Sequence, residues 1–317
     1  MSITPSTSDK AYTVVGGQRE ERAVAVARNT SLIVLHRGGK YRRHELFETL
    51  QRLGFEDVLS LEPAADTYDV EALSQQHSGV RFLIPHQRLS VGAQVNIGMQ
   101  EALGRVVFVV WNDMELDRNC AAAAARLGDE TDHLCIVPLM RSEKGETIPT
   151  LAAPAFHGGR LRVVPLTPAR DGIPSLYPVG YVGLYRRKRF LALGGFDALI
   201  ENSFWQKMDF GLRAHMWGEH IVYHGALRLT TGAGLEAENT TPDDSYRRFY
   251  LKNLSLRFRD DQGILPLSRF VRFFLKTGGG LFSSWALFRS IQQWVFDNRY
   301  RFRQDSRRIT ELWEVEE

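Results

Sequence analysis

The segment RLSVGAQVNIGMQEALGRVVFVVWNDMEL, residues 88–116, decides the fold. Val91, Val95, Met99 and Ala102 recur on one side of a helical pattern, Gly104 stops it, and VVFVV at 106–110 follows as an unbroken apolar run. A strand covered on both faces needs no polar alternation, so helix, glycine and apolar run together mark a parallel βα unit. The same rhythm extends toward the N-terminus. SLIVL at 31–35 precedes a helical pattern of Leu46, Leu50 and Leu53 that Gly54 ends, and VLSL at 58–61 and VRFLI at 80–84 supply two more strands. LCIV at 134–137 is the last of the set. Residues 30 to about 137 are expected to form an α/β half of the nucleotide-binding type.

Toward the C-terminus the pattern dissolves from Pro138 to Pro178, which reads as a long excursion containing a hairpin. YVGLY at 181–185 then predicts a strand, FLAL at 190–193 a short helix stopped by Gly194 and Gly195, and Phe204, Met208 and Leu212 one face of a further helix. IVYH at 221–224 is the final predicted strand. Beyond about Asp244 aromatic and basic residues interleave in amphipathic helices. The expected division is a tail over 1–29 with one loosely attached element, a main domain over 30–240 and a basic aromatic helical region over 241–317.

The 317 residues are 44% hydrophobic and 24% charged, which excludes a disordered or collagen-like chain. No run of 18 uncharged apolar residues occurs, and the polar opening MSITPSTSDK lacks the apolar core of a secretory leader, so a cytoplasmic location is expected. Cys120 and Cys135 form no CxxC pair, so buried thiols are expected rather than a disulfide or zinc site. The net charge of +3 conceals a split: residues 245–317 hold 14 Lys/Arg against 8 Asp/Glu, and the first 244 sum to −3.

In an open α/β sheet ligands bind beyond the carboxyl ends of the strands, which draws attention to His36, Glu62, Pro85 and Trp111. After the fourth run come Asn112, Asp113, Met114 and Glu115. Carboxylates at the mouth of a sheet can hold Mg²⁺ or Mn²⁺ against a diphosphate, and the alternative is that they cap a helix starting near Asp117.

From residues 31 to about 235 the chain resembles the family 2 glycosyltransferases, in particular their rhamnosyltransferase-like members. RLSVGAQVNIGMQEALGRVVFVVWNDMEL resembles the nucleotide-sugar half, with Asn96, Gly98, Ala102 and Gly104 at matching places, and GGFDALIENSFWQKMDFGLRAHMWGEHIVY resembles the second signature. The resemblance implies an α/β GT-A type nucleotide-diphospho-sugar transferase fold with a C-terminal helical extension. It implies a donor site drawing on His36, Glu62, Asn96, Asn112, Asp113 and Gly195, a divalent metal (Mn²⁺ or Mg²⁺) at Asp113 and Glu115, and Asp209 as the base that deprotonates the acceptor hydroxyl. Arg213, four residues on, either orients Asp209 or forms a plain ion pair.

Departures from the family pattern are specific. The first strand leads into His36-Arg37-Gly38-Gly39-Lys40, which is not a Walker A loop; the paired aspartates after the second are replaced by Glu62 and Pro63; and Met208 stands before Asp209. The place of a metal-binding His after the last strand holds Thr230, with His224 six residues earlier. Arg37, Lys40 or a later arginine therefore competes with a metal as the partner of the diphosphate. For the basic C-terminal region three readings compete: a helical cap on the catalytic domain, a peripheral surface for anionic membrane or a lipid-linked acceptor, and, least favoured, nucleic acid. The expected function is inverting sugar transfer from a nucleotide-diphosphate donor to a glycan or lipid-linked acceptor in surface polysaccharide or glycoconjugate synthesis. The alternative is a degenerate nucleotide- or glycan-binding scaffold.

Overall fold

The β-branched runs of the N-terminal half become strands buried on both faces. In the computed structural model, which describes residues 11–17, 29–37, 43–64, 69–157, 160–232 and 237–313, every residue of β2 (Thr30–Leu35) is buried, following an edge strand β1 (Tyr12–Gly16). Then come α1 (Arg43–Arg52), β3 (Asp57–Leu61), α2 (Val70–Gln76), β4 (Val80–Pro85), α3 (Val91–Glu101) and β5 (Val106–Trp111). β4, β3, β2 and β5 run parallel, in that order, and β1 closes the β4 edge in antiparallel register. The predicted N-terminal tail therefore contains a strand of the main sheet.

Gly104 shows how tightly α3 is bound to this sheet. Its N–H donates to Ser31 Oγ at 2.8 Å, and a Cβ there would stand 2.5 Å from the Ser31 nitrogen, so only glycine lets the turn between α3 and β5 lie against β2.

The second half adds β6 (Met114–Leu116), α4 (Cys120–Glu130), β7 (Cys135–Ser142), a hairpin of β8 (Leu151–His157) and β9 (Arg160–Leu166), β10 (Gly183–Arg186), α5 (Arg187–Leu193), α6 (Ser203–Met216) and β11 (Ile221–Thr231). β10 lies antiparallel between β5 and β7, β11 runs parallel to β7, and β6 pairs antiparallel with β11, completing a nine-stranded mixed sheet. The expected strand at 181–185 starts two residues late, because Gly180 and Tyr181 both take positive φ in a 3-10 turn. The final strand runs on past His224 to Thr231 across a register shift. Cys120 and Cys135 are free, buried thiols.

Two apolar layers flank the sheet, one around Phe47, Phe82 and Phe108, the other around Met99, Tyr185, Phe190 and Phe210. A third cluster joins α6 to the C-terminal elements: α7 (Asp244–Phe249), a π-helical turn at Tyr250–Leu254, the two-stranded β12 (Arg257–Arg259) and β13 (Gln262–Ile264), α8 (Arg269–Thr277), α9 (Leu281–Asp297) and α10 (Ser306–Glu311). Trp205 of α6 stacks near Phe249, and Phe273 and Phe288 are fully buried. Each such aromatic ring contributes about 1.5–3 kcal/mol when removed from water. The C-terminal region thus packs its aromatic stripe on α6 of the main domain, as a helical cap does. Among the described residues, no helix is long and apolar enough to cross a membrane.

Candidate active site

The order of the sheet reverses between β2 and β5, and the segments leaving their carboxyl ends converge there. The Arg37 N–H donates to Asn112 Oδ1 at 3.0 Å, its Nε donates to Asp113 Oδ2 at 3.0 Å, and its guanidinium lies 5.0 Å from the Trp111 ring centre. Trp111 in turn donates to the Gly180 carbonyl at 2.8 Å. Arg37, Trp111 and Gly180 line a cleft of about 620 Å³ that Tyr181, Phe204, Lys207 and Glu238 also line, with Asn112 and Asp113 held by Arg37 just outside that lining. Gly38, Gly39 and Lys40 lie outside the described residues.

Asp113, just outside the cleft lining, commits one oxygen to Arg37, and its other, Oδ1, is buried without a hydrogen-bond partner among the described residues. That orphaned oxygen suits a hard cation. Among the described residues Thr231 Oγ1 is likewise buried without a hydrogen-bond partner, and Thr231 stands opposite Met114, so its side chain shares a face with a residue that lines the cleft. Glu115 is exposed on β6 opposite Thr230. Among the described residues, no three His, Cys, Asp or Glu side chains gather into a metal-holding group. Neither Asp113 nor Glu115 caps a helix, because β6 intervenes before α4.

His36 and Glu62 are brought together, away from the lining of this cleft. His36 Nε2 lies 2.7 Å from Ser60 Oγ and 3.6 Å from Glu62 Oε1, the latter also receiving Ser60 Oγ at 2.7 Å and Arg43 Nη2 at 2.5 Å. Burial lowers the His36 pKa, Glu62 opposes the shift and Arg43 reinforces it. Asn96 and Gly195 also meet, for a structural reason. Asn96 donates to the Phe196 carbonyl at 2.7 Å and accepts from the Phe196 N–H at 2.9 Å, which commits its amide to clamping α3 to the Gly-Gly turn. The Asn96 amide, expected at the donor, is thus engaged by Phe196, and Gly195, at φ 64°, supplies the turn.

Asp209, the expected base, lies in a buried network. Its side chain is 0% exposed; Arg213 donates to Oδ2 at 3.1 and 3.3 Å, Asn253 donates to Oδ1 at 2.9 Å, and Lys252 Nζ stands 3.0 Å from Oδ1. Lys252 also reaches Asp197 at 2.8 Å, which Arg248 holds at 2.7 Å, while Arg213 donates to the carbonyls of Leu193 and Gly195. The carboxylate is therefore the centre of a buried network that ties α6, the Gly-Gly-Phe-Asp turn and the C-terminal cap together. Helical geometry explains it. Successive residues turn about 100°, so Asp209 lies about 200° around α6 from Lys207, and the helix presents Lys207, not Asp209, to the cleft.

Lys207 and Glu238 escaped the sequence reading. Lys207 Nζ is 2.6 Å from Glu238 Oε1 and 5.2 Å from the Tyr181 ring centre, with its side chain only 5% exposed. Its neighbour Gln206 is fully buried and accepts from the Gly92 N–H at 2.9 Å and the Tyr181 hydroxyl at 2.8 Å. The available signal was the position two residues before Asp209, on the opposite side of the helix.

No family model and no curated protein matches the chain. Among solved structures it is similar to GalNAc-T7, crystallised with UDP, GalNAc and Mn²⁺, with a TM-score of 0.52 at 16% identity over 86% of this chain and 57% of that one. It is also similar to S. aureus TarS, with a TM-score of 0.51 at 13% identity over 91% of this chain and 46% of that one. A TarS fragment of residues 1–349 in complex with UDP-GlcNAc gives 0.51 at 14% identity, covering 83% and 71%. The chain spans about half the length of the first two. At such identities the likeness speaks for the fold: the chain has the α/β GT-A fold of these glycosyltransferases.

Proposed function

We propose that the protein is an inverting glycosyltransferase that moves a sugar from a nucleotide-diphosphate donor to a hydroxyl of a glycan or lipid-linked acceptor, in the synthesis of surface polysaccharide or glycoconjugate. The observation that carries this reading is the cleft at the β2/β5 switch point, lined by Arg37, Trp111, Lys207 and Glu238, with Asp113 paired to Arg37 beside it. The GT-A neighbours that hold UDP or UDP-GlcNAc support a nucleotide-sugar donor. In this reading Arg37 faces the diphosphate, whose negative charge grows as the anomeric C–O bond breaks. Trp111 and Tyr181 give flat walls to the sugar or base. A divalent ion, when bound, supplies further neutralisation of the leaving diphosphate, and Asp113 Oδ1 is the atom that fits it. Glu238 takes the proton of the acceptor hydroxyl as its oxygen attacks the anomeric carbon, and Lys207 holds that carboxylate in place.

The test is Glu238→Gln, assayed for transfer and for donor binding. Loss of transfer by roughly 10² to 10⁴ with donor affinity retained is expected for a base; unchanged transfer removes Glu238 from the mechanism. One observation favours the scaffold reading instead: the side chain α6 presents to the cleft is an ammonium, and the nearest carboxylate is paired with it. Saturable donor binding with neither transfer nor donor hydrolysis would decide for the scaffold. A peripheral membrane contact is part of the proposal, because α8 and the start of α9 leave Val271, Leu275 and Phe282 exposed at 61, 77 and 88% beside Arg272 and Lys276.

A further inference from the structure

A second cavity, of about 830 Å³, lies on the far side of the wall that bounds the cleft. Its floor is aromatic, with Trp205, Phe249 and Tyr250, and five cations surround it: Arg257 of β12, Arg269, Arg272 and Lys276 of α8, and Arg307 of α10. Among the described residues one carboxylate, Glu311, lines it, and that group is paired with Arg307 at 2.7 Å. Arg257 leans 3.8 Å toward Asp305. Among the described residues, neither Arg269 nor Arg272 has an ion pair with a carboxylate. Burial first, and then the like charges of Arg257 and Arg272, push the Arg269 guanidinium below its ordinary pKa. Such a concentration of positive charge over an apolar floor repels itself until an anion enters.

The wall between the two cavities is thin and well fixed. Pro242 and Tyr246 face the basic cavity while Asp243, Asp244 and Ser245 face the cleft, and on α6 the neighbours Trp205 and Phe204 divide in the same way. Trp205 donates to the Thr241 carbonyl at 2.9 Å, Asn202 donates to Asp243 at 3.1 Å, and the Glu201 and Asn202 N–H groups donate to Ser245 Oγ. A ligand that crosses this wall has one end among guanidinium groups and the other beside Glu238.

Resting on the donor-cleft reading above, we propose that the basic cavity is an acceptor subsite for phosphate, holding a phosphorylated or phosphodiester-linked acceptor while its hydroxyl reaches over the Pro242–Tyr246 wall. Planar guanidinium forks match tetrahedral phosphate oxygens two at a time, and several cations at one place suit a group carrying more than one charge. The phosphate belongs either to a polyprenyl diphosphate in a bilayer or to a soluble glycan phosphate.

Two probes separate these sources: a soluble glycerol-phosphate oligomer, and phosphatidylcholine vesicles carrying a polyprenyl diphosphate, each against its dephosphorylated counterpart. Binding is measured with saturating UDP present, for wild type and for the double variant Arg269→Gln, Arg272→Gln. The expected result is that one phosphorylated probe binds, its counterpart does not, and the double variant binds it at least about tenfold more weakly with UDP affinity unchanged. Failure of both phosphorylated probes, equal binding of a dephosphorylated one, or no loss in the double variant overturns the proposal. Phosphate binding that depends on the two arginines in a protein that binds no nucleotide supports the subsite and counts against the donor reading alone.

Discussion

Replacing Asp209 with asparagine separates two roles that differ by orders of magnitude. The carboxylate is wholly buried, with Arg213 and Lys252 within 3.1 Å and Asn253 at 2.9 Å. Asp209→Asn leaves two buried cations facing an amide, although Lys252 keeps Asp197 and Arg213 keeps the carbonyls of Leu193 and Gly195. Breaking one side of a buried ionic network costs about 3–5 kcal/mol. For a chain of this size each kcal/mol moves the melting temperature by about 2 °C, so a fall of roughly 6–10 °C is expected. Thermal and denaturant unfolding measure it. Transfer by the folded variant, assayed well below its transition, is expected to stay within about threefold of wild type, whereas a true base would lose roughly 10² to 10⁴. An unchanged melting temperature together with a hundredfold loss of transfer would refute the structural role and restore Asp209 as the base.

Three further outcomes are expected. Burial opposes ionisation of Asp197, but the Lys252 ammonium and Arg248 guanidinium outweigh it and hold its carboxyl well below the usual range. Its stabilising contribution is thus fully present above the unfolded-state pKa of about 3.9 and drains away as pH falls through the lower folded-state value. Denaturant midpoints followed downward from pH 5 should drop more steeply for wild type than for Asp197→Asn, and equal slopes would contradict the pairing. Gly195→Ala should cost about 2–4 kcal/mol in urea unfolding, because Ala is strained at φ 64° and its Cβ would strike the Asn96 amide that clamps Phe196; a variant as stable as wild type would remove the clamp from the account. Vesicles rich in phosphatidylglycerol should sediment the wild-type protein, with Phe282→Glu reducing partitioning by roughly tenfold or more; equal binding of the two proteins would locate any membrane contact elsewhere.

The strands were legible in the sequence because β2, β3 and β5 are buried on both faces and so read as continuous apolar runs. The position of Asp113 was legible for a related reason: a strand that ends in acids delivers them to the mouth of the sheet. The buried network around Asp209 was not legible because α6 is buried nearly all round, from Phe204 to Met216, and a helix with no exposed face gives no signal of which side meets the cleft. The basic charge beyond Ser245 could be counted but its partners could not, since Arg248 and Lys252 answer acids some fifty and forty residues earlier, at Asp197 and Asp209. Asn96 matched a signature position, yet its contact with Phe196 spans 100 residues and depends on the packing of α3 against the Gly-Gly turn. Local pattern specified the elements, and the functions of individual polar residues followed from which elements meet.

The central claim is that the cleft beside Arg37 and Asp113 holds a nucleotide-diphosphate sugar. Calorimetric titration of wild type, Arg37→Ala and Asp113→Asn with UDP, GDP, dTDP and CMP sugars, each with Mn²⁺ or with chelator, tests it most directly. Saturable binding of one donor class to wild type is expected, at least tenfold weaker in Arg37→Ala and losing its Mn²⁺ dependence in Asp113→Asn. Binding of none of the donors, or binding that neither substitution changes, would contradict it.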